Sequence, residues 1–543
     1  MFHYDFSNHQ NRFIRLEDMP EDYMERICAA AAADPFYPRW HLAPPCGLTN
    51  DPCGLFEQNG VHYIFHQWFP AGPVHGLKYW RLLTTRDFVN YKACGPVLTP
   101  ELPFDDHGCY TGMALPMPAG AANEGGLAQV FYTGIAGEKM EAAICEARMT
   151  NDGMRDRRVV VTRDPGISDT DFRDPCVWRR ADEACMLVGS RSPEGVGQLL
   201  LYRCGPDGLW GAGRPLKLRP CGLNVLSFGY MLECPNYFDV SPAELGDGAA
   251  TDAGDDACAL EDADVEGGEK PAAGVLVFSP MGIASSNKYD FKNVFSVVYA
   301  VGAPLDAASA EFSCDTFYEL DKGFDFYAPQ VYRDEAGRRV LFGWLGNSKS
   351  AYPTDSNDWA HMLTCPREVR VMGDRLSQWP VGELEALRGV GERVEADSWT
   401  EISLDPDAIS LDLDGSVDGV FSWELGNEAG DMVRFRATAD EYELDRSRAS
   451  HLYADRFGQI RYARRLDAVC RVRLMLDTSS LELFCDGGKT VFTSRVFIDR
   501  PTYLRVHGIS GMNYPLAAIL QAKPDDTPKR HSPTAQPLAE MWG

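Results

Sequence analysis

The sequence predicts an all-β chain in which a β-propeller is followed by a β-sandwich, and three observations support this fold class. With 543 residues the chain exceeds one ordinary domain, so two globular units are expected. Between about residues 50 and 375, short runs of aromatic and β-branched residues alternate with Gly, Pro and Asp, which is typical of many short strands. Strand-like alternation returns after Ser398.

The first unit is expected to span residues 36–375. A propeller suits so long a strand-rich stretch because it adds blades radially and leaves only short, protected edges. No clean internal repeat is visible, so spacing alone does not give the number of blades. The second unit, residues 398–543, fits a sandwich, and Ser480–Cys485 followed by Asp486-Gly487-Gly488 predicts a hairpin within it. Its surface is compatible with pairing of two copies into a homo-oligomer.

Two shorter segments flank the propeller unit. Residues 1–35 form an N-terminal extension, in which a short amphipathic helix is expected near residues 21–33. Residues 376–397 form a linker, in which the amphipathic stretch 378–388 suggests a helix.

An acidic loop is expected at residues 241–270. Its segment Glu244 to Lys270 contains ten acidic residues against a single lysine, with many Ala and Gly residues and almost no aromatic ones. Such a composition cannot bury enough apolar surface to offset its ordering entropy, so it predicts a solvated surface loop. A calcium site is the sharper alternative, although the acids lack the spacing of a known calcium loop.

The charge and the cysteines restrict partners and location. A formal net charge of -27 repels phosphate backbones and anionic membrane surfaces, so neither nucleic acid nor a membrane is an expected partner. The first residues show no secretory signal, and no apolar stretch approaches the roughly 20 residues that span a bilayer. Sixteen scattered cysteines without a CxxC pair indicate reduced thiols and a cytoplasmic protein.

Three carboxylic acids are candidates for catalysis. Asp-Pro occurs five times and is mostly a turn signal, but Asp51 precedes the strongest aromatic strand and Asp174 follows Arg173. Glu233 lies in the apolar run Met231–Pro235, which would desolvate it and favour its neutral form, as a general acid requires. A carboxylate in a polar setting and a carboxylic acid in an apolar one divide the work of glycoside hydrolysis.

Other kinds of chemistry find little support. His62 and His66 have the i,i+4 spacing of a zinc pair on a helix, but their pattern predicts a strand, so no metal is expected. A Ser/His/Asp triad lacks its nucleophile elbow, and no cofactor is expected.

Three motifs in the same order resemble those of glycoside hydrolase family 32, the invertase, sucrose-6-phosphate hydrolase and fructanase family. They are Arg39 to Pro45 followed by Asn50-Asp51-Pro52, then Phe172-Arg173-Asp174-Pro175, then Glu233-Cys234-Pro235. Weaker similarity extends over about residues 36–500. The resemblance implies five propeller blades, a C-terminal sandwich, and a β-fructofuranosidase that releases terminal fructose from sucrose or short fructo-oligosaccharides.

The resemblance also implies roles for individual residues. Asp51 would be the nucleophile, Glu233 the acid/base, and Asp174 a ligand of sugar hydroxyls. The residues expected around the bound sugar are Asn50, Gln67, Trp80, Tyr110, Thr111, Arg173 and Cys234. Trp80, Tyr110 and Tyr327 are equally compatible with core positions, since buried aromatic residues are common in propellers.

Departures from the family pattern leave the substrate open. Leu48-Thr49 replaces Trp-Met before the first motif, Cys53-Gly54 replaces Asn-Gly after it, and Leu232 replaces a Trp before Glu233. Met113 stands where a small hydroxyl residue is usual. Sucrose, sucrose 6-phosphate, inulin-type and levan-type fructans all stay candidates, as do a fructosyltransferase and a catalytically silent carbohydrate-binding protein.

Overall fold

The computed structural model describes residues 3–117, 126–180, 183–220, 228–245, 270–407 and 409–522. Within these ranges the fold is mostly β, as predicted, and one α-helix, α1 (Glu21–Ala32), accompanies short 3-10 helices and many strands. Most of the predicted acidic loop, residues 246–269, lies outside the described residues, as does the tail 523–543. No helix in the described ranges is long and apolar enough to cross a membrane.

The strands up to residue 380 form five sheets, each built mainly from consecutive strands. Sheet 1 contains β1 (Gly47–Gln58), β2 (Val61–Phe69), β3 (Tyr79–Thr85) and β4 (Asn90–Leu98), and sheet 2 contains β5 (Gly108–Pro116), β6 (Gly126–Ala136), β7 (Glu141–Thr150) and β8 (Gly153–Thr162). Sheet 3 contains β9 (Phe172–Arg180), β10 (Glu183–Arg191), β11 (Gly197–Cys204) and β12 (Arg214–Pro215).

The next two sheets complete this half of the chain. Sheet 4 contains β13 (Lys217–Pro220), β14 (Met231–Val240), β15 (Ala273–Met281), β16 (Val298–Gly302), β17 (Glu311–Cys314) and β18 (Tyr318–Glu319). Sheet 5 begins with β19 (Tyr327–Arg333) and β20 (Arg339–Leu345); β21 (Trp359–Ala360) pairs with β1 instead. Sheet 5 is completed by β22 (Met362–Leu363), β23 (Arg367–Met372) and β24 (Arg375–Pro380).

One strand of each sheet faces a common centre. β1 contacts β5, β5 contacts β9, β9 contacts β14, β14 contacts β19, and β19 contacts β1 again. We call these five the inner strands. Their closed ring brings together segments that are far apart in the sequence, including all three candidate carboxylates.

Two six-stranded sheets follow. Their strands in chain order are β25 (Glu392–Glu395), β26 (Thr400–Ser403), β27 (Leu411–Asp418), β28 (Phe421–Gly426), β29 (Met432–Ala437), β30 (Glu441–Arg448), β31 (Ile460–Arg464), β32 (Val469–Asp477), β33 (Ser480–Cys485), β34 (Thr490–Arg495), β35 (Tyr503–His507) and β36 (Ser510–Pro515). Sheet 6 has the order β25-β36-β27-β32-β33-β34, and sheet 7 has the order β26-β35-β28-β29-β30-β31.

The two later sheets share one apolar core that includes Trp423, Phe435 and Leu504. The predicted hairpin is confirmed, because β33 pairs with β34 across the turn Asp486–Gly488. Gly488 has φ 92°, and a Cβ there would lie 2.1 Å from the Gln378 carbonyl oxygen. The last strand, β37 (Leu520–Ala522), returns to pair with β4.

The prediction of a linker helix at residues 378–388 is wrong. The stretch begins in β24, which pairs with β23, and continues as the 3-10 helix Gly382–Leu387. Pro380 has no N–H for a helical hydrogen bond, and it is tolerated where it lies, at the end of an edge strand. The amphipathic pattern arises because Leu384 and Leu387 are the buried residues of this short 3-10 helix.

The N-terminal helix is confirmed. Tyr23, Ile27 and Ala31 of α1 are buried at helical spacing and belong to the same apolar cluster as Trp68 and Phe69 at the end of β2. The N-terminal residues therefore cover one flank of sheet 1.

A buried polar network, here called the joint, connects the two halves of the chain. Glu482 on β33 accepts hydrogen bonds from Arg367 (Nη2 2.5 Å, Nε 3.0 Å) and from the Cys365 amide at 2.7 Å. His41 lies between Glu482 (2.7 Å) and Asp477 (2.9 Å). The second half thereby holds the segment that leads into β1.

Candidate functional site

Every inner strand has an irregularity in its ladder near the centre of the ring. The register shifts between Thr49 and Pro52 on β1, and the shift between Glu233 and Asn236 on β14 has the same form. Corresponding shifts occur on β5 at Tyr110–Gly112, opposite β9 at Leu187–Gly189, and on β19 at Tyr327–Gln330. Bulges of this kind bend a strand and redirect its side chains, which here point into one cluster.

Asp51 is 9% exposed and accepts hydrogen bonds at both carboxylate oxygens. Asn50 Nδ2 donates to Oδ1 at 3.0 Å, and the Thr111 hydroxyl donates to Oδ2. Gln67 links these two donors, because its Oε1 accepts from Asn50 at 2.6 Å and its Nε2 donates to Thr111 at 2.6 Å. Burial raises the pKa of Asp51 and the charge of Glu233 adds to this, while Thr111 and Asn50 act in the opposite direction.

Asp174 lies beside Asp51, with a thiol between them. The Cys234 sulfur is 3.6 Å from Oδ2 of Asp51 and 3.6 Å from Oδ2 of Asp174. The Cys234 amide donates to Asp174 at 3.1 Å, and the Asp174 amide donates to the Thr133 hydroxyl at 2.8 Å. Burial raises the pKa of Asp174, and Glu233 and Asp51 raise it further against the effect of Arg173. These effects favour the neutral form of the Asp174 carboxyl group.

Glu233 is the most exposed of the three acids, with 17% of its side chain accessible, so the desolvated setting predicted for it is wrong. Its neighbours Met231 and Leu232 are buried, but its own carboxylate faces Arg173 and Tyr327. Arg173 donates to its Oε1 from Nε at 2.9 Å and from Nη2 at 2.8 Å. The Tyr327 hydroxyl donates to Oε2 at 2.6 Å. Asp171 accepts from Nη1 of Arg173 at 2.6 Å and so fixes the guanidinium. Both oxygens of Glu233 thus have donors, and this carboxylate is the most accessible of the three.

Most of the predicted site residues come together here. Asn50, Gln67, Thr111, Arg173 and Cys234 all contact one of the three acids or its direct partner. Tyr110 lies on β5 next to Thr111, and burial raises the pKa of its hydroxyl, on which the charges of Arg173, Asp174 and Glu233 also act.

Trp80 requires a correction, because it was expected to contact the sugar. Its side chain has no exposed surface, and it packs against Phe65 and Tyr132 in the apolar cluster between sheets 1 and 2. Its Nε1 donates to the Tyr110 carbonyl at 3.1 Å. Trp80 therefore supports β5 from behind instead of lining the site.

Sequence reasoning missed Lys78 and left Tyr327 undecided. Lys78 is 3% exposed, and its Nζ donates to Asn50 Oδ1 at 2.7 Å. A lone lysine before a strand normally suggests a solvated position, although the apolar neighbours Leu77 and Tyr79 were a usable signal. Tyr327 is buried, yet its hydroxyl reaches Glu233, so it is both a core aromatic residue and part of the site.

The two histidines considered for zinc have other partners. Nδ1 of His62 lies 2.9 Å from the Tyr332 hydroxyl, and Nδ1 of His66 contacts the Thr49 hydroxyl. Among the residues that the structure describes, no group of three or more His, Cys, Asp or Glu side chains is arranged to hold a metal ion.

Comparisons with known proteins agree with these motifs. Residues 41–380 match the N-terminal domain of glycosyl hydrolases family 32, and residues 407–514 match the C-terminal domain of the same family. The chain is 37% identical over 515 residues to a sucrose-6-phosphate hydrolase of Vibrio alginolyticus, covering 94% of this chain and 96% of that protein. A sucrose-6-phosphate hydrolase of Salmonella typhimurium is 31% identical over 474 residues, covering 86% and 90%.

Solved structures give the same result. The sucrose-6-phosphate hydrolase of Lactobacillus gasseri superposes with a TM-score of 0.81 at 23% identity, covering 94% of this chain and all of that one. A family 32 β-fructofuranosidase of Bombyx mori gives a TM-score of 0.72 at 25% identity, with the same coverage. The chain belongs to glycosyl hydrolases family 32.

Proposed function

We propose that this chain is a retaining β-fructofuranosidase that hydrolyses sucrose and, preferentially, sucrose 6-phosphate. The observation that carries the proposal is the division of roles within the cluster. Asp51 is buried and receives a hydrogen bond at each oxygen. Glu233 is more exposed and receives hydrogen bonds from Arg173 and Tyr327. One carboxylate held for attack and a more accessible carboxyl group in the same cluster can act as nucleophile and acid/base.

In the first step Asp51 attacks the anomeric carbon of the fructosyl unit while Glu233 protonates the departing glucose oxygen. Asn50 and Thr111 fix the attacking carboxylate, so that little reorganisation is needed when it becomes an ester. Asp174, whose pKa is raised, holds ring hydroxyls and keeps the sugar in place. In the second step Glu233 takes a proton from water, which releases fructose with its original anomeric configuration.

Preference for a phosphorylated substrate is supported by the positive charges around His75, which contacts Lys78. Burial lowers the pKa of His75, and the charges of Lys78, His361, Arg12 and Lys349 lower it further. Nε2 of His75 is buried and has no hydrogen-bond partner within the described part of the chain. The neutral imidazole of His75 and the cations around it, Lys78, Arg12 and Lys349, form a locally positive region in a protein whose net charge is -27. Such a region can bind an anionic group of a substrate. The relatives named sucrose-6-phosphate hydrolase point to phosphate as that anion.

The architecture belongs to the same proposal. We propose that sheets 1 to 5 are the blades of a five-bladed β-propeller and that sheets 6 and 7 form a β-sandwich. The closed ring of inner strands and the shared core of the two later sheets support this arrangement. A cytoplasmic location is part of the proposal as well, supported by fourteen free cysteines in the described residues.

Kinetics on purified protein test the assignment. The expected order of kcat/KM is sucrose 6-phosphate, sucrose, then kestose, inulin and levan, with the first preferred over the second by about 100-fold, or roughly 2.7 kcal/mol. His75→Leu should reduce that ratio and leave the sucrose rate nearly unchanged. A ratio near one in the unmodified protein would refute the phosphate preference.

Variants of the acids test the mechanism separately. Asp51→Asn and Glu233→Gln should each lose more than about 1000-fold in kcat, or roughly 4 kcal/mol, while remaining folded. Asp405→Asn is the matched control, because Asp405 also precedes a proline but is exposed and outside the ring. NMR of the fructose first released should show the β-anomer. Release of α-fructose, or a tenth of the activity surviving in Asp51→Asn, would contradict the double displacement.

A further inference from the structure

Lys78 occupies an unusual place for a lysine. It lies immediately before β3, between the buried residues Leu77 and Tyr79, and only 3% of its surface is exposed. Burying an ammonium group is costly unless several acceptors surround it. In the proposed function Lys78 counts only as one of the charges around His75, although it lies within two hydrogen bonds of the nucleophile.

The partners of Lys78 fix the orientation of an amide. Its Nζ donates to Asn50 Oδ1 at 2.7 Å and contacts His75 Nδ1 at 3.2 Å. Because an ammonium group has only donors, Asn50 must present its carbonyl oxygen to Lys78. The Asn50 NH2 group then points away from Lys78, towards Asp51 at 3.0 Å and Gln67 at 2.6 Å.

This orientation propagates around the nucleophile. Gln67 accepts from Asn50 with its oxygen, so its amide nitrogen must donate to Thr111 at 2.6 Å. The Thr111 hydroxyl accepts that bond, which leaves its proton for Oδ2 of Asp51. Lys78 at one end and the Asp51 carboxylate at the other thus require the same direction for each of these hydrogen bonds, and both oxygens of Asp51 receive a donor.

We propose that Lys78 is a positioning residue, which sets the direction of the hydrogen bonds around Asp51 and so holds a donor at each oxygen of this carboxylate for the attack. The inference rests on the proposed role of Asp51 as nucleophile. It goes beyond that role because it predicts that a residue without contact to the sugar controls the rate with every substrate, phosphorylated or not.

The electrostatics agree with this geometry. Burial raises the pKa of Asp51 and the charge of Glu233 adds to this, whereas the hydrogen bonds from Thr111 and Asn50 and the charge of Lys78 lower it. Burial lowers the pKa of Lys78 itself to about 7, against the effect of Asp51. On the other side of Lys78, His75 is faced by His361, Arg12 and Lys349, which supply no negative charge. Lys78 and Asp51 therefore stabilise each other's charged forms.

The test is the pH dependence of kcat/KM for Lys78→Met with sucrose and with sucrose 6-phosphate. Both substrates should lose about 100-fold or more in kcat, a change of roughly 2.7 kcal/mol, with KM little changed. The acid limb of the profile should move to higher pH by at least about half a unit, because Asp51 has lost a cation that favours its charged form. Lys92→Met, on the neighbouring strand β4, is the control and should change neither quantity.

A double-mutant cycle with Asn50→Ala tests the route of the effect. If Lys78 acts through Asn50, then Lys78→Met should add less than about threefold to the loss already caused by Asn50→Ala, since coupled residues are not additive. Lys78→Arg, which keeps the charge, should retain the acid limb of the unmodified protein. Should Lys78→Met not fold, Lys78→Gln replaces it with the same expected shift.

Three results would overturn the inference: an unmoved acid limb, full additivity with Asn50→Ala, or a loss restricted to the phosphorylated substrate. The last would make Lys78 a phosphate ligand. Failure of the inference is distinguishable from failure of the proposed function, because the latter appears as activity in Asp51→Asn, whatever the behaviour of the Lys78 variants.

Discussion

Removal of the Glu482 carboxylate by Glu482→Ala tests whether the joint holds the two halves of the chain together. Glu482 has no exposed surface and receives two hydrogen bonds from Arg367, one from the Cys365 amide and one from His41. Without it, a buried guanidinium loses its main counter-charge. Although burial opposes ionisation, Arg367 and His41 hold the pKa of Glu482 at about 2.

The size of the effect follows from these contacts. Breaking a buried ion pair by removing one partner costs about 3–5 kcal/mol. Arg367 keeps weaker links to Thr493 (2.6 Å), Gln378 (3.0 Å) and Asp321 (3.4 Å), so we expect a loss of about 3–4 kcal/mol in the free energy of unfolding. Glu482→Gln keeps an acceptor oxygen and should lose about 2 kcal/mol.

Urea unfolding at pH 7, followed by tryptophan fluorescence and circular dichroism, measures this loss. The exposed pair Arg393–Glu395 supplies the control, and Glu395→Ala should cost less than about 1 kcal/mol. The difference between the unmodified protein and Glu482→Gln should shrink as the pH falls from 4.5 towards 2, because the stabilisation from a lowered carboxyl pKa is fully present above the unfolded value of 4.5 and is lost by the folded value of about 2. A loss below about 1 kcal/mol for Glu482→Ala would refute the account of the joint.

Three other changes separate the roles of single side chains. Tyr327→Phe removes one donor to Glu233 and should lower kcat by about 10- to 100-fold without loss of stability, as steady-state kinetics would show. Thr111→Val removes a donor that lowers the pKa of Asp51, so the acid limb of kcat/KM should move to higher pH. Trp80→Ala empties a core position and should cost about 3–5 kcal/mol in urea unfolding, while KM changes less than about threefold; a large rise in KM at full stability would restore its predicted sugar contact.

Local signals explain which parts of the fold could be predicted. The helix near residues 21–33 has a clear apolar face, and the hairpin at Ser480–Cys485 has a glycine turn, so both were predictable from a few neighbouring residues. The stretch 378–388 has a similar amphipathic pattern, but pairing of β24 with β23 decides its structure. Tertiary pairing of that kind leaves no trace in the local pattern.

In the site, too, some residues could be predicted from local sequence and others depend on tertiary contacts. Asp51, Asp174 and Glu233 lie in short contexts that favour particular chemistry, and the structure brings them together, while their catalytic roles stay proposals. Lys78 has no such context, because its contact with Asn50 on β1 joins residues far apart in the sequence and is visible only in the structure. Trp80 was ambiguous for the opposite reason: an aromatic residue next to a site strand can face the sugar or the core, and only packing decides between them.

Prolines supply the local mechanism that places the acids. Asp51, Asp174 and Cys234 each precede a proline on an inner strand, and Ala328 on β19 does so as well. A proline has no N–H for the ladder, and each of these four positions lies where the register shifts. Asp174 (φ 64°), Cys234 (φ 47°) and Ala328 (φ 43°) also adopt the left-handed backbone that non-glycine residues avoid.

Sheets 1, 3, 4 and 5 thus share one local feature, a proline at the register shift of the inner strand. Strain of this kind costs about 1–3 kcal/mol per residue, and it persists where the surroundings fix it and the site benefits. Replacing Pro235 by Ala would restore a ladder donor and let β14 relax towards a regular register, moving Glu233 away from Arg173 and Tyr327. We therefore expect Pro235→Ala to lower kcat by more than about tenfold while stability is unchanged or higher, a combination that a purely structural proline would not give.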